Sequence, residues 1–169
     1  MKLAVRKLTF SALLTALAII IPVVFGPFLR VTFPPFTATL GAHVPMFLAM
    51  LVGPEAAVAV GVGSLIGFML TSTSVVAARA FMHTFVGLVG ALLIKRGVSI
   101  KKVVVITAPI HAVLEALVVI PFGYKMYQSL VLVGVGTIIH HFIDAVIAFA
   151  LAAAIERALR IKLVKMFEA

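Results

Sequence analysis

The sequence predicts an all-α membrane protein, a bundle of six transmembrane helices with cytoplasmic N- and C-termini. Three observations lead there. Of 169 residues, 64% are hydrophobic and 11% charged, with a mean hydropathy of +1.30, more apolar surface than a water-soluble domain can bury. Apolar stretches able to cross about 30 Å of hydrocarbon as helices follow one another with short polar breaks. The cations gather at the ends of those stretches, in the pattern that orients membrane helices.

The N-terminal Met1–Lys7 segment precedes an apolar run containing Ala16-Leu17-Ala18, which imitates a signal peptide. The run continues through Ile19, Ile20, Ile21, Val23 and Val24, past the would-be cleavage site, so a retained first span is expected over about 8–25. Pro22 is expected to kink or stop it. The following loop, 26–37, carries Pro27, Pro34 and Pro35 beside Phe28, Phe33 and Phe36, a composition that suits a packed cap better than a free linker. A second span over about 38–52 meets a third, about 56–70, at the tight turn Gly53-Pro54-Glu55. Both are short, so this part of the bundle is expected to tilt or to cross only in part. Thr71–Ser74 separates a fourth span, about 75–94, which ends at Lys95-Arg96-Gly97. The fifth, about 102–122, contains Pro109 and Pro121. The sixth, about 129–156, is long and is expected to run on as a basic amphipathic tail with Arg157, Arg160, Lys162 and Lys165. Residues 1–169 read as a single transmembrane domain without an internal repeat.

With the N-terminus inside, Lys2, Arg6, Lys7, Lys95, Arg96, Lys101, Lys102, Arg157, Arg160, Lys162 and Lys165 all fall on the cytoplasmic face. Only Arg30 and Lys125 reach outer loops, and Arg79 is left within the fourth span. The net charge of +9 therefore faces the lipid bilayer; no basic run is interleaved with aromatic residues, which excludes a nucleic-acid partner. The absence of cysteine excludes disulfides and thiolate chemistry.

Ionisable groups inside hydrocarbon cost about 2.5–3.5 kcal/mol each on insertion scales, so those that remain invite a functional reading. Here they come four apart, on one helical face: Arg79 with His83, His111 with Glu115, and His140 with Asp144. At about 1.5 Å per residue these stripes converge in the outer half of the membrane, with His43 joining from the side. The bland reading is that the groups pair with one another and hold the bundle together; for His111 with Glu115 it carries as much weight as function, and His43, in Ala42-His43-Val44-Pro45, reads as a structural hydrogen-bonder at a helix start. Arg79 favours function, because a guanidinium keeps its charge and an anionic ligand is its natural counter-ion. Adjacent His140 and His141 point about 100° apart on a regular helix and cannot share one metal, so no metal site and no cofactor is expected. No nucleophile has a placed base and no phosphate loop exists; Gly61-Val62-Gly63, inside an apolar helix, reads as close helix packing. The chain is expected not to be an enzyme.

Taken together, the chain resembles the S components of energy-coupling factor (ECF) vitamin transporters over nearly its whole length. Ala12-Leu13-Leu14-Thr15-Ala16 matches the Ala-x-x-x-Ala stripe by which these proteins contact their transmembrane coupling subunit. Pro34-Pro35-Phe36-Thr37-Ala38-Thr39-Leu40-Gly41-Ala42-His43-Val44-Pro45, taken with Arg79-Ala80-Phe81-Met82-His83, is most similar to the niacin-type members. The resemblance implies capture of a small vitamin outside, under the loop after the first helix, with energy supplied by two ATPase subunits through the coupling subunit in a prokaryotic cell membrane. It implies that Arg79 holds a carboxylate and that His83 or His140 faces a pyridine nitrogen, with Phe33, Phe36 or Phe81 against the ring. Riboflavin or pyridoxine would be alternative cargoes. The rival reading is a stand-alone proton-coupled transporter using Glu115, Asp144 and the histidines, although the chain lacks the inverted repeats common in that class.

Overall fold

Residues 2–167, the part that this computed structural model describes, form helices interrupted by one β-hairpin. In chain order these are α1 (Lys2–Ile20), a π-turn (Ile21–Phe25) and α2 (Gly26–Leu29), then β1 (Arg30–Phe33) and β2 (Phe36–Thr39), then α3 (Val44–Val52), α4 (Pro54–Thr71), α5 (Ser74–Lys95) and α6 (Ile100–Val118), a 3-10 turn (Ile120–Phe122), a π-segment (Gln128–Val133), α7 (Gly134–Leu159) and α8 (Leu163–Phe167). Five continuous helical stretches are long and apolar enough to cross a membrane. Among the described residues the predicted all-α membrane architecture therefore holds, apart from the hairpin.

Three expected boundaries move, each for a local reason. Pro22 does not end the first span: it lies in the π-turn, where the wider hydrogen-bond loop absorbs its missing N–H, and the helical path continues to Leu29. The second span does not begin as a helix at residue 38. Thr37 and Thr39, β-branched, pair with Thr32 and Arg30 in the antiparallel hairpin. Gly41 then turns the chain at φ 84°, a conformation that glycine adopts without strain, and α3 starts only at Val44, with Pro45 in its first turn. The basic tail does not prolong the last helix. Arg160 adopts a left-handed conformation that ends α7, and Glu156 caps the reversal by accepting hydrogen bonds from the Leu163 amide (2.9 Å) and Lys162 Nζ (2.8 Å). The returning α8 buries Leu163, Met166 and Phe167.

Short α3 is apolar all round and almost wholly buried, so it is a central post about which the longer helices pack. Gly61 and Gly63, on α4, serve two interfaces. A Cβ on Gly61 would collide with the Thr84 backbone of α5, and one on Gly63 would meet Thr15 of α1 at 2.8 Å. Close backbone approach through small residues is how helices associate where lipid supplies no hydrophobic drive. The hydroxyls of Thr9, Ser11 and Thr15 each donate to the carbonyl one turn back, which satisfies them within α1.

The bundle has two distinct ends. At one, Lys7, the Gly53–Pro54 turn, Lys95 and Phe167 surround a common recess, Arg6 donates to the Met166 carbonyl (3.1 Å), and Phe10 meets Phe167 edge to face. At the other, Arg30 reaches Ser72 Oγ (3.0 Å), and Tyr124 Oη donates to the Pro35 carbonyl (3.4 Å). The hairpin is thus tied across the far end, as a packed cap requires, although β1 itself is exposed along its length.

Candidate functional site

Each of the three predicted i,i+4 pairs turns toward the bundle interior, and their six side chains, with His43 and His141, form one buried polar centre. The centre brings together all five histidines of the chain. It has two carboxylates, and each organises a different neighbourhood.

Asp144, from α7, fastens the turn that leads into α3. Oδ1 accepts from the Gly41 amide (2.7 Å) and Oδ2 from the His43 amide (2.9 Å). These are donors that a helix start leaves without intrahelical partners. His140 Nε2 lies 3.0 Å from Asp144 Oδ2 and 3.2 Å from the Thr39 carbonyl. Both neighbours only accept, so this nitrogen carries the hydrogen. His140 thereby latches β2 to α7. Phe36 makes a second latch: its ring occupies the space where a Cβ on Gly136 would sit, 2.8 Å from the ring carbons.

Glu115, from α6, gathers the other group. Its Oε2 accepts from Arg79 Nε (2.9 Å), Arg79 Nη2 (2.6 Å) and Thr137 Oγ1 (2.6 Å). The third arm of Arg79, Nη1, donates to the Thr37 carbonyl of the hairpin (3.0 Å), and the guanidinium stands 4.7 Å from the centre of the Phe36 ring. Glu115 Oε1 faces His111 Nε2 at 3.3 Å and His83 Nε2 at 3.9 Å. His83 Nδ1 is bonded to Ser64 Oγ (2.9 Å), and His111 Nδ1 to His141 Nδ1 (3.1 Å). His43 lies between the two neighbourhoods, its ring centroid 4.7 Å from those of both His83 and His111 and 4.2 Å from that of His140.

A narrow cleft of about 30 Å³ opens beside this centre beneath the hairpin. Its walls include His43, Arg79, His83, Glu115 and His140, five of the residues singled out from the sequence, together with Thr37, Thr39 and Arg30. His111 and Asp144 lie behind that wall. Phe36 is buried against Arg79, whereas Phe33, 70% exposed at the hairpin tip, does not reach the cleft. Phe81 packs on Phe85. Ala12 and Ala16 share the exposed face of α1, opposite buried Leu14 and Ala18.

One expectation needs correction. Arg79 is not a lone cation: Glu115 neutralises it inside the protein. His141, about 100° round the helix from His140, faces α6, where it meets His111 and donates its Nε2 hydrogen to the Val104 carbonyl (3.0 Å). Its two partners share one face of α6, since Val104 and His111 are seven residues apart. Arg30 also escaped notice as a wall of the cleft, because only the hairpin pairing brings it over the Thr71–Ser72 turn.

Two sets of side chains have ligand atoms within 4.8 Å of one another, His43 with His83, His111 and Glu115, and His43 with His140 and Asp144. Among curated proteins, the niacin transporter NiaX of Lactococcus lactis subsp. cremoris (strain MG1363) is 33% identical over 174 aligned residues, covering 93% of this chain and 78% of that protein. No family model matches the chain, and no solved structure matches it.

Proposed function

The chain belongs to the niacin-type S components of ECF transporters, and we propose on that premise that its cargo is niacin, bound as the carboxylate in the cleft beneath the hairpin. It is a substrate-binding subunit for vitamin uptake. The observation that carries the assignment of the site is Arg79. Two of its nitrogens are held by Glu115, which fixes the guanidinium plane, while Nη1 is spent on a backbone carbonyl of the hairpin. A carboxylate can take the place of the Thr37 carbonyl and gain a charge-assisted bond from a donor already positioned. His83 and His140 border the same cleft, where either can face a pyridine nitrogen.

The cleft is far smaller than the roughly 300–1,000 Å³ of ligand pockets, so entry requires the hairpin to withdraw. Its attachments suit that step. Apart from Phe36 and the His140 latch, it is held by single hydrogen bonds from Arg79 and Tyr124 and by the exposed contacts of Arg30. Arg30 at the rim places a second cation on the approach of an anion.

Topology in the membrane follows the same proposal. Added along the chain, the strand β2 and helix α3 amount to about 27 Å, at roughly 3.3 Å per strand residue and 1.5 Å per helical residue, with the Gly41 turn between them. That composite supplies the sixth crossing beside the five long helical stretches and returns the chain to the end where α1 begins and α8 finishes. The cations at that end make it the cytoplasmic one in a prokaryotic cell membrane, and residues 1–169 a single transmembrane domain. The exposed Ala12–Ala16 stripe is the docking face for the ECF transmembrane coupling subunit. Family membership supports two ATPase subunits as the source of energy; Gly61 and Gly63 of this chain are packed against α5 and α1. The protein performs no chemistry on its cargo.

Mass spectrometry of the solute released when the purified protein is denatured tests this reading. Niacin released in proportion to protein is the expected result; a different vitamin, or no saturable solute after incubation with niacin, overturns it.

A further inference from the structure

We propose that His43, His83, His111 and Glu115 form a binding site for a divalent transition-metal ion of the zinc class, a site that stands whatever the transported vitamin. The argument begins with hydrogen-bond direction. The Val104 carbonyl only accepts, so the hydrogen on the neutral His141 ring is at Nε2 and Nδ1 is an acceptor. His111 Nδ1 must then donate to it, which leaves His111 Nε2 as a bare lone pair. That nitrogen is fully buried and has no hydrogen-bond partner. Glu115 Oε1, another acceptor, lies 3.3 Å away, and the pair is not aligned for a hydrogen bond.

Two acceptors held together in a buried place repel unless a cation lies between them. Their lone pairs do not point at each other, as is required of two ligands that share an ion at a third point. The edge of a tetrahedron with bonds of roughly 2.0–2.1 Å is about 3.3 Å, and His111 Nε2 and Glu115 Oε1 already stand at that separation. His83 Nε2 lies 3.9 Å from the same oxygen. His43 closes the group, its Nδ1 turned to Asp144 Oδ2 at 3.2 Å, and one ligand atom from each of the four residues falls within 4.8 Å of the others. Three imidazoles and a carboxylate are a donor set suited to zinc and its tetrahedral neighbours.

The surroundings match what metal-bound histidines require. Each distal ring nitrogen that faces outward is held by a fixed partner, His83 Nδ1 by Ser64 Oγ and His111 Nδ1 by His141. Charge points the same way. With neutral imidazoles, the buried centre holds Arg79 against Glu115 and Asp144, one positive charge against two negative, and a divalent cation reverses that balance. An anion entering the cleft would then meet a positive rather than a negative interior.

The experiment uses the full chain, purified in detergent through an affinity tag free of histidine. Elemental analysis is expected to find zinc or a related ion at close to one per chain. After chelator treatment, added Co²⁺ is expected to develop the intense visible bands of tetrahedral coordination. His111→Gln is expected to weaken Co²⁺ binding by at least about 100-fold, and Ser64→Ala, which removes only a supporting hydrogen bond, by about 10–100-fold. Should His111→Gln fail to fold, Ser64→Ala and the wild-type spectrum still decide. Absence of both retained metal and Co²⁺ bands overturns the proposal and leaves a proton as the shared cation. Bands of octahedral type, or bands unchanged by Ser64→Ala, overturn it as well.

Discussion

The two buried carboxylates of this protein lie in one polar centre yet do different work. Both oxygens of Asp144 accept hydrogen bonds, two of the donors being backbone amides of the turn before α3. Glu115 is lopsided: three donors crowd Oε2, while Oε1 confronts two imidazole nitrogens and no aligned donor. A carboxylate with donors on both oxygens fastens the elements that supply them. One with a bare oxygen, beside a guanidinium with a displaceable partner, is what the proposed site requires. Buried charge alone does not separate these roles; the distribution of donors over the two oxygens does.

Mutations can break that comparison, and the largest effect is expected at the ion pair. Arg79→Gln strands Glu115 as an unpaired buried carboxylate and should cost about 3–5 kcal/mol of stability as well as vitamin binding. Adding Glu115→Gln should restore much of the stability but none of the binding; thermal unfolding in detergent beside equilibrium binding separates the two. Next is Asp144→Asn, which swaps one acceptor oxygen for an amide facing backbone donors. It should lower stability by about 1–3 kcal/mol and change vitamin affinity only a few-fold, and a complete loss of binding would make Asp144 part of the site. Gly136→Leu fills the space under Phe36, so the hairpin should stand off and vitamin dissociation should quicken several-fold in a chase measurement. The smallest effect on binding belongs to Ala12→Trp. On the exposed face of α1 it should leave affinity unchanged while preventing co-purification of the coupling subunit, and a normal complex would move the docking face elsewhere.

Much of this was legible from helical period. The pairs Arg79/His83, His111/Glu115 and His140/Asp144 were placed on inward stripes by spacing alone, and all three meet in the structure. What spacing does not carry is the rotation of one helix against the next. That rotation makes Glu115 answer Arg79 across α5 and α6, and it brings His141 to His111 despite pointing away from His140. The hairpin was hidden for a different reason. Residues 36–43 are apolar enough to read as the start of a span, and only Thr37, Thr39 and Gly41 favour a strand and turn there. Once the strand forms, Phe36 is driven under Arg79 while Phe33 is left at the tip, a distinction that composition does not make.

The central claim is that Arg79 recognises a carboxylate, and the affinities of wild-type and Arg79→Gln protein for niacin and for nicotinamide, its uncharged amide, test it most directly. The account predicts that wild-type protein prefers niacin by about 100-fold or more and that Arg79→Gln erases the preference by losing affinity for niacin alone. Equal affinity of wild-type protein for both solutes, or a preference that survives in Arg79→Gln protein shown to be folded, would contradict it.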